Sequence, residues 1–129
     1  MIVLDASALL AYVYGEPGAE TVEAALSEAV IHAVNFAEVL SRLAERGSSP
    51  EDSLGVLEAA GVMKLLTVDL GTVEDSLNAA RLRPLTKSAG LSLGDRYCLA
   101  LAQRLGVPVL TADRAWSGLN VNVQVTLVR

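Results

Sequence analysis

The sequence predicts a three-layer α/β fold in which a short, parallel central sheet of about five strands is flanked by helices. Short apolar segments rich in β-branched residues alternate along the chain with longer segments whose apolar residues keep helical spacing. Strands joined through helices run parallel by right-handed crossovers, so both faces of the sheet are covered. Hydrophobic residues make up 52% of the chain and aromatic residues only 4%, so the core must be aliphatic. This composition favours helices packed on a small apolar sheet.

The first half of the chain predicts two strands and four helices. Gly15 and Pro17 end the first helix. Ser49 and Pro50 begin the fourth, because serine caps a helix and proline suits its first position. The strands are expected at residues 1–4 and 30–34, and the helices at residues 6–14, 19–29, 35–46 and 50–60.

The second half predicts three further strands and two helices. Ser92 caps a strongly apolar helix that ends at Gly106. Residues 83–90 are expected to form a loop. The strands are expected at residues 62–68, 107–111 and 121–128, and the other helix at residues 70–82. The length of 129 residues fits one domain over residues 1–129.

The compartment is predicted from three features. No basic leader precedes the first apolar stretch, which Asp5 interrupts early, so a signal peptide is not expected. No apolar run approaches the roughly 20 residues that cross a bilayer, so no membrane association is expected. Cys98 is the only cysteine, which excludes an intrachain disulfide. We expect a soluble, cytoplasmic protein.

Four acidic residues fall at equivalent places in this pattern. Asp5 and Asp113 lie at or just beyond the carboxyl ends of apolar strands, while Glu38 and Asp95 lie about one turn into helices. Ligand sites in open α/β sheets form outside the carboxyl ends of the strands. Four carboxylates in one cleft would repel one another, and a bound Mg²⁺ or Mn²⁺ would remove that penalty. Two such ions could activate a water and stabilise the leaving oxygen of a phosphodiester.

Each acid also has a structural interpretation. Asn35 with Glu38, and Ser92 with Asp95, match the capping-box spacing, in which the third helical residue reaches back to the cap. Asp5 could cap the first helix, and Asp113 could lie in a turn. Capping does not explain why Asp5 and Asp113 follow apolar strands, where a lone charge is costly. The four acids taken together favour a functional site.

Four segments that contain these acids resemble the motifs of PIN domains. Their order and spacing are similar to those of VapC-type toxins from toxin–antitoxin pairs, and the resemblance covers essentially the whole chain. The segments are VLDASAL at residues 3–9, AVNFAEV at 33–39, LSLGDRYCLALA at 91–102 and VLTADRAW at 109–116.

The resemblance implies a PIN-like fold and an Mg²⁺- or Mn²⁺-dependent endoribonuclease that a small antitoxin inhibits and that forms a homodimer. By motif position, the catalytic and metal-binding residues would be Asp5, Glu38, Asp95 and Asp113, with Ser7 and Thr111 as supporting polar groups. Some relatives carry a further acid after the fourth motif, where this chain has Ala115 and Trp116. The number of ions, one or two, therefore stays open.

The charge pattern bears on RNA binding. A net charge of −5 is unusual for a protein that binds nucleic acid, although two divalent ions would bring it to about −1. Lys87, Arg96 and Arg114 lie near the motif acids, and we expect them to contact substrate phosphates. An acidic cleft could also accept a basic antitoxin tail. Helices at 19–29, 35–46 and 50–60 carry more apolar residues than one small sheet covers, which favours dimer or antitoxin contacts.

Other classes of protein fit less well. His32 is the only histidine, which excludes a nuclease with two catalytic histidines and argues against a zinc site. A phosphoacceptor signalling domain would need paired acids after the first strand and a lysine after the last, and neither is present. A non-catalytic PIN-like module that binds RNA or protein remains the alternative function. We expect His32 and Trp116 to be structural, and Cys98 to pack as a small apolar residue.

Overall fold

The computed structural model describes residues 1–129, and its centre is a five-stranded sheet in which every neighbouring pair of strands is parallel. The strand order is β3-β2-β1-β4-β5. This arrangement confirms the parallel sheet predicted from the alternating pattern. The strands are β1 (Ile2–Leu4), β2 (Ala29–His32), β3 (Thr67–Asp69), β4 (Val109–Thr111) and β5 (Val125–Leu127).

Eight α-helices surround the sheet. Two short 3₁₀ turns lie between the other elements: Leu26–Glu28 directly before β2, and Arg114–Trp116 between β4 and β5. No helix combines the length and the apolar character that crossing a bilayer requires. The helices are α1 (Ala6–Tyr14), α2 (Ala19–Ala25), α3 (Ala33–Glu45), α4 (Pro50–Ala59), α5 (Val62–Leu65), α6 (Val73–Arg81), α7 (Arg83–Thr86) and α8 (Leu93–Leu105).

The core has two parts, one on each face of the sheet, because side chains alternate along a strand. In β1, Leu4 packs with the apolar residues of α1 to α5, and Val3 packs with those of α8. On β2, Ile31 packs on the same face as Leu4, and Val30 packs on the same face as Val3. The aliphatic three-layer core expected from composition is therefore present. Trp116 is fully buried beside α8, so it has the packing role that we predicted.

The strand order creates a crevice beside the central strand. The chain steps outward from β1 to β2 and β3, then returns to the other side of β1 to form β4 and β5. The direction of winding therefore reverses between β1 and β4. Helices that leave two adjacent parallel strands on opposite faces open a crevice at their carboxyl ends, where ligands bind in such folds. Asp5 and Asp113 follow these two strands.

The segment 62–68, predicted as a strand, is mostly helical. Gly61 adopts a left-handed φ of 82° and ends the preceding helix, and α5 begins directly after it. Val62 and Leu66, four residues apart, are both buried, which is helical spacing. The strand prediction was wrong for residues 62–65, because a short apolar run does not by its composition distinguish a helix from a strand. Its last two residues, Thr67 and Val68, lie in β3.

The start of α3 was also misplaced. We expected a strand to Val34 and a helix from Asn35, but the strand ends at His32 and the helix begins at Ala33. The His32 side chain caps this helix by accepting a hydrogen bond from the Val34 amide at 3.1 Å. Asn35 therefore lies inside the helix, and the predicted capping box of Asn35 with Glu38 is wrong.

Smaller differences concern the ends of elements. The predicted loop at 83–90 contains the short helix α7, and the predicted helix at 19–29 gives way to a 3₁₀ turn at Leu26. The last strand covers only Val125–Leu127 of the predicted residues 121–128. The boundary at Ser92 is confirmed, because its hydroxyl accepts a hydrogen bond from the Asp95 amide and caps α8.

Candidate active site

A cleft of about 520 Å³ opens beyond the carboxyl ends of the neighbouring strands β1 and β4. All four motif acids line it, each from a different part of the chain. The structure therefore brings together the residues that sequence reasoning grouped. The lining residues are Asp5, Ala6, Ser7, Leu10, Tyr14, Glu16, Glu38, Arg42, Glu45, Arg46, Ser92, Asp95, Asp113 and Arg129.

Asp5 lies deepest of the four acids and is 2% exposed. It follows β1 directly and caps α1, because its Oδ1 accepts a hydrogen bond from the Ala8 amide at 2.8 Å. The Ser7 hydroxyl lies within 2.9 Å of both carboxylate oxygens. The capping interpretation is thus correct for Asp5, and it fixes the carboxylate at the floor of the cleft.

Thr111 joins Asp5 to Asp113. Its hydroxyl donates a hydrogen bond to Asp5 Oδ2 and accepts one from the Asp113 amide at 3.0 Å. The Ser7 hydroxyl accepts a further hydrogen bond from the Ala112 amide at 2.9 Å. Ser7 and Thr111 therefore tie the end of β4 to the start of α1 and hold the Asp5 side chain in one orientation.

The Glu38 side chain reaches the cleft by lying directly against Gly94, which has no side chain to block it. It lies on the second turn of α3, and a Cβ added to Gly94 would meet its Oε1 at 1.6 Å. Asn35, which is fully buried, donates from its amide nitrogen to Glu38 Oε1 at 3.2 Å and to the Gly94 carbonyl at 2.9 Å. The absence of a side chain at Gly94 allows α3 and α8 to place Glu38 beside Asp95.

Asp95 and Asp113 are anchored by backbone amides. Asp95 accepts a hydrogen bond from the Ser92 amide at 2.9 Å and completes the predicted capping box of α8. Asp113 accepts one from the Ala115 amide at 2.9 Å and is exposed. Each hydrogen bond uses one oxygen of the carboxylate, so the second oxygen is left for another ligand. Capping and membership of the cleft are therefore compatible for both residues.

The electrostatics of the cleft favour a bound cation. Burial raises the pKa of Asp5 from its ordinary 3.8 to about 6, and the Asp95 charge adds to the rise, although hydrogen bonds from Thr111, Ala8 and Ser7 oppose it. Burial also raises the pKa of Glu38, and the charges of Asp95 and Asp5 raise it further. The pKa of Asp95 is raised by burial and by Asp113. The acids are close enough to disfavour one another's ionised forms.

The donor set suits a divalent cation in its chemistry, because carboxylate oxygens are the ligands that Mg²⁺ and Mn²⁺ prefer. The side chains do not form a complete metal-binding site, since no three acidic, histidine or cysteine side chains are arranged to hold one ion together. Glu38, Asp95 and Asp113 each have one oxygen that takes no hydrogen bond from the chain. These are the atoms that a cation would bind first.

The basic side chains of the cleft differ from those expected. Lys87, Arg96 and Arg114 do not line it. The Arg96 guanidinium instead donates to the Ala79 carbonyl of α6 at 2.9 Å. The basic residues that line the cleft are Arg42, Arg46 and Arg129. Sequence reasoning missed them, although the spacing of Glu38, Arg42 and Arg46 by four residues places them on one helical face.

A buried polar network supports the start of α3. His32 Nε2 lies 3.2 Å from Asp75 Oδ2, and Arg104 donates to Asp75 Oδ1 at 2.7 Å and to Asp69 Oδ1 at 2.7 Å. Burial raises the pKa of Asp75, but hydrogen bonds from Arg104 and the Thr72 amide outweigh it and bring the pKa below its ordinary value. His32 is therefore a structural residue, as predicted, and it fixes the helix that carries Glu38.

Cys98 takes no part in the cleft. It is fully buried among the apolar residues that α8 packs against the sheet. Burial raises its pKa well above the ordinary range, and the Asp5 charge adds to the rise. A thiol that stays protonated is a poor nucleophile and a poor metal ligand. Cys98 packs as a small apolar residue, as predicted.

Solved structures with the same architecture span nearly the whole chain. A toxin–antitoxin complex from Klebsiella pneumoniae has a TM-score of 0.74 at 17% identity and covers 100% of this chain and 98% of its own. VapBC-1 from nontypeable Haemophilus influenzae has a TM-score of 0.73 at 19% identity, with 99% and 98% covered. DNA-bound VapBC from Salmonella typhimurium has a TM-score of 0.72 at 19% identity, with 99% and 98% covered. At these identities the likeness concerns the fold.

Comparison by sequence gives two further results. No curated protein matches the chain. The PIN domain family matches over residues 2–121, a range that includes all four acids of the cleft. This match agrees with the parallel sheet, with the crevice between β1 and β4, and with the motifs from which the resemblance was drawn. The chain belongs to the PIN domain family.

Proposed function

We propose that this protein is a metal-dependent endoribonuclease that hydrolyses RNA phosphodiester bonds, and that it is the VapC-type toxin of a toxin–antitoxin pair. The observation that carries the proposal is the meeting of Asp5, Glu38, Asp95 and Asp113 in one cleft. For three of them burial and mutual repulsion raise the pKa. Ionised carboxylates grouped in this way are costly for the fold, and a cation that they share offsets the cost.

The four carboxylates would hold one or two ions of Mg²⁺ or Mn²⁺. Such an ion, when bound, supplies an activated water and stabilises the leaving oxygen of the phosphodiester. The chain itself positions the ligands: Ser7 and Thr111 orient Asp5, and Asn35 orients Glu38. Asp95 and Asp113 each keep one carboxylate oxygen that accepts no hydrogen bond from the chain and is available to the ion. Because the cleft lies at the surface of the protein, an RNA strand can reach the acids that line it.

An antitoxin and a second copy of the chain are proposed as partners. The structural neighbours from Klebsiella pneumoniae and Haemophilus influenzae are toxin–antitoxin or VapBC assemblies, which supports a protein partner for this chain. An antitoxin that places an arginine or lysine in the acidic cleft would block the metal ligands. Leu70 and Val73, 85% and 79% exposed, leave apolar surface that a homodimer could cover.

One observation favours the alternative, a non-catalytic PIN-like module that binds RNA or protein. No three potential ligands are arranged to hold one ion together, as a preformed metal site would have them. The two functions predict different behaviour of the purified protein. A catalytic site will close around added metal and cut RNA, whereas a binding module will hold RNA or a partner protein regardless of metal.

The test is cleavage of end-labelled structured RNAs by the purified protein, with Mg²⁺ or Mn²⁺ and with EDTA. We expect cutting that requires metal and is lost in Asp5→Asn. The matched control is Asp52→Asn, which changes an exposed acid that does not line the cleft and should cut normally. Binding of RNA without cutting, in every metal and with whole-cell RNA as substrate, would support the non-catalytic module instead.

A further inference from the structure

We propose that Arg42 and Arg46 bind the backbone of single-stranded RNA on one side of the bond to be cut, with Arg46 and Tyr14 forming a stacking platform for a base. The inference rests on the proposed nuclease function and assigns the direction in which the substrate lies. The three residues line the same cleft as the four acids. We call the surface formed by Arg42, Arg46 and Tyr14 the basic track.

The track continues the line of a metal ligand. Glu38, Arg42 and Arg46 are spaced by four residues, the first two on α3 and the third directly after it. Residues four apart lie on one helical face about 6 Å apart along the axis. The face therefore runs from an acid at the sheet end of the helix to two guanidinium groups beyond it. A strand whose scissile phosphate lies at the acids would place its neighbouring phosphates over the arginines.

Arg46 is the best placed of these cations. Its guanidinium lies 3.9 Å from the centroid of the Tyr14 ring, and no carboxylate lies within ion-pair distance of it. Stacking on the ring restrains the guanidinium while leaving its edge donors and its outer face free. An arginine presented in this way can donate to a phosphate and stack against a base, the two contacts by which proteins hold single strands.

The other charges at this end of the cleft are paired with each other. Arg42 lies 3.9 Å from Glu45, and Arg129 lies 3.4 Å from Glu16. The side chains of the first pair are 68% and 70% exposed, so the pair contributes little and a phosphate can replace Glu45. Three arginine and two glutamate side chains line this end of the cleft, whereas no basic side chain accompanies the four acids at the other end. The difference orients a polyanion along the cleft.

The test measures RNA binding separately from cleavage. The probe is a fluorescein-labelled single-stranded RNA of mixed sequence, titrated with the full chain in EDTA and in Ca²⁺ at several salt concentrations. The variants are Arg42→Gln and Arg46→Gln, and the controls are Lys64→Gln and Arg83→Gln, exposed cations outside the cleft that undergo the same charge change. Arg46→Lys keeps the positive charge and removes the planar guanidinium that stacks on Tyr14.

We expect each arginine variant to bind about fivefold more weakly, with the slope of log affinity against log salt reduced by roughly 0.7. The controls should bind like the wild type, and Arg46→Lys should restore the salt slope but not the affinity. Equal affinity of the arginine variants and the controls would overturn the basic track. So would a wild type that binds no RNA in either condition.

The two proposals fail in different ways. Cleavage by the wild type that is unchanged in Arg42→Gln and Arg46→Gln would leave the nuclease intact and remove the track. Arginine-dependent RNA binding without cleavage in any metal would leave the track intact and remove the nuclease. Equal loss of affinity for a duplex RNA hairpin would show that the track does not select single strands and would contradict the stacking platform.

Discussion

The Asn35 side chain donates a hydrogen bond to the Gly94 carbonyl at 2.9 Å and so joins two helices from residues 59 positions apart. Asn35 lies on α3, which carries Glu38, and Gly94 lies on α8, which carries Asp95. Since the same amide nitrogen also reaches Glu38, one buried side chain sets both the distance between the helices and the position of an acid.

Replacing Asn35 by alanine should destabilise the fold and weaken metal binding. The change removes the hydrogen bonds of a fully buried side-chain amide and leaves a cavity between α3 and α8, which together cost about 2 kcal/mol in the free energy of unfolding. Urea denaturation measures this cost. The control is Asn120→Ala at an exposed position, which should change stability by less than about 0.5 kcal/mol. Equal stabilities for the two variants would show that the contact between the helices is not needed.

Gly94→Ala should displace Glu38 without harming the helix. Alanine normally stabilises a helix by about 1 kcal/mol over glycine, but here its Cβ would meet Glu38 Oε1 at 1.6 Å. Gly55→Ala is the matched control, because nothing lies within 4 Å of its Cβ inside α4. We expect calorimetry to show weaker Mn²⁺ binding for Gly94→Ala and unchanged binding with higher stability for Gly55→Ala. Unchanged binding in both would place Glu38 outside the metal site.

The raised pKa of Asp5 predicts that stability depends on pH. The folded chain holds this proton up to about pH 6, whereas the unfolded chain releases it near 3.8. The stabilisation is therefore complete below about pH 4 and is lost as the pH rises through 6. Asp5→Asn should be more stable than the wild type at pH 7, by up to about 3 kcal/mol, and the difference should vanish near pH 4.

Thermal unfolding between pH 4 and 8 measures this difference. Asp113→Asn, which changes an exposed residue of the same cleft and keeps Asp5, should lose stability between pH 4 and 7 as the wild type does. Adding Mg²⁺ should raise the melting temperature of the wild type more at pH 7.5 than at pH 5, because the cation binds the ionised carboxylate. A wild type whose stability rises steadily from pH 4 to 7 relative to Asp5→Asn would contradict the direction of the shift.

The network behind α3 predicts a structural effect at a distance from the cleft. Arg104→Gln removes the ion-pair partner of Asp75, which is fully buried. The change should destabilise the fold by about 2 kcal/mol, which is less than the usual cost of breaking a buried ion pair because Arg104 is partly exposed. Arg81→Gln, whose pair with Glu74 is exposed on both sides, should cost almost nothing. Urea denaturation of the two variants makes the comparison, and equal costs would show that the network is not stabilising.

The sequence predicted the sheet and the acids because local signals specify both. Apolar β-branched runs specify the strands, and the acids that follow them are brought together by the geometry of a parallel sheet. The capping role of Asp95 also follows from local spacing, since Ser92 lies three residues before it. These features need no knowledge of which helix packs on which.

The features that sequence reasoning missed depend on tertiary contacts. The cap of α3 is His32, whose position is maintained by Asp75 from a helix more than 40 residues later. Segment 62–65 is helical because Gly61, in a left-handed conformation, separates it from α4 and Val62 packs into the core. Arg96 was expected to face substrate, but its guanidinium binds the Ala79 carbonyl. Asp75 lies 43 residues from His32, and Ala79 lies 17 residues from Arg96, so neither contact can be read from local spacing.

The most direct test of the four-acid cleft is titration of the metal-free protein with Mn²⁺ and Mg²⁺ by isothermal calorimetry. The variants are Asp5→Asn, Glu38→Gln, Asp95→Asn and Asp113→Asn, with Glu58→Gln as an exposed control outside the cleft. If the four carboxylates form one metal site, the wild type and the control will bind metal, and each cleft variant will bind it about tenfold or more weakly. Absence of binding, or affinity that none of the four substitutions changes, would mean that these acids serve only as helix caps and turn residues.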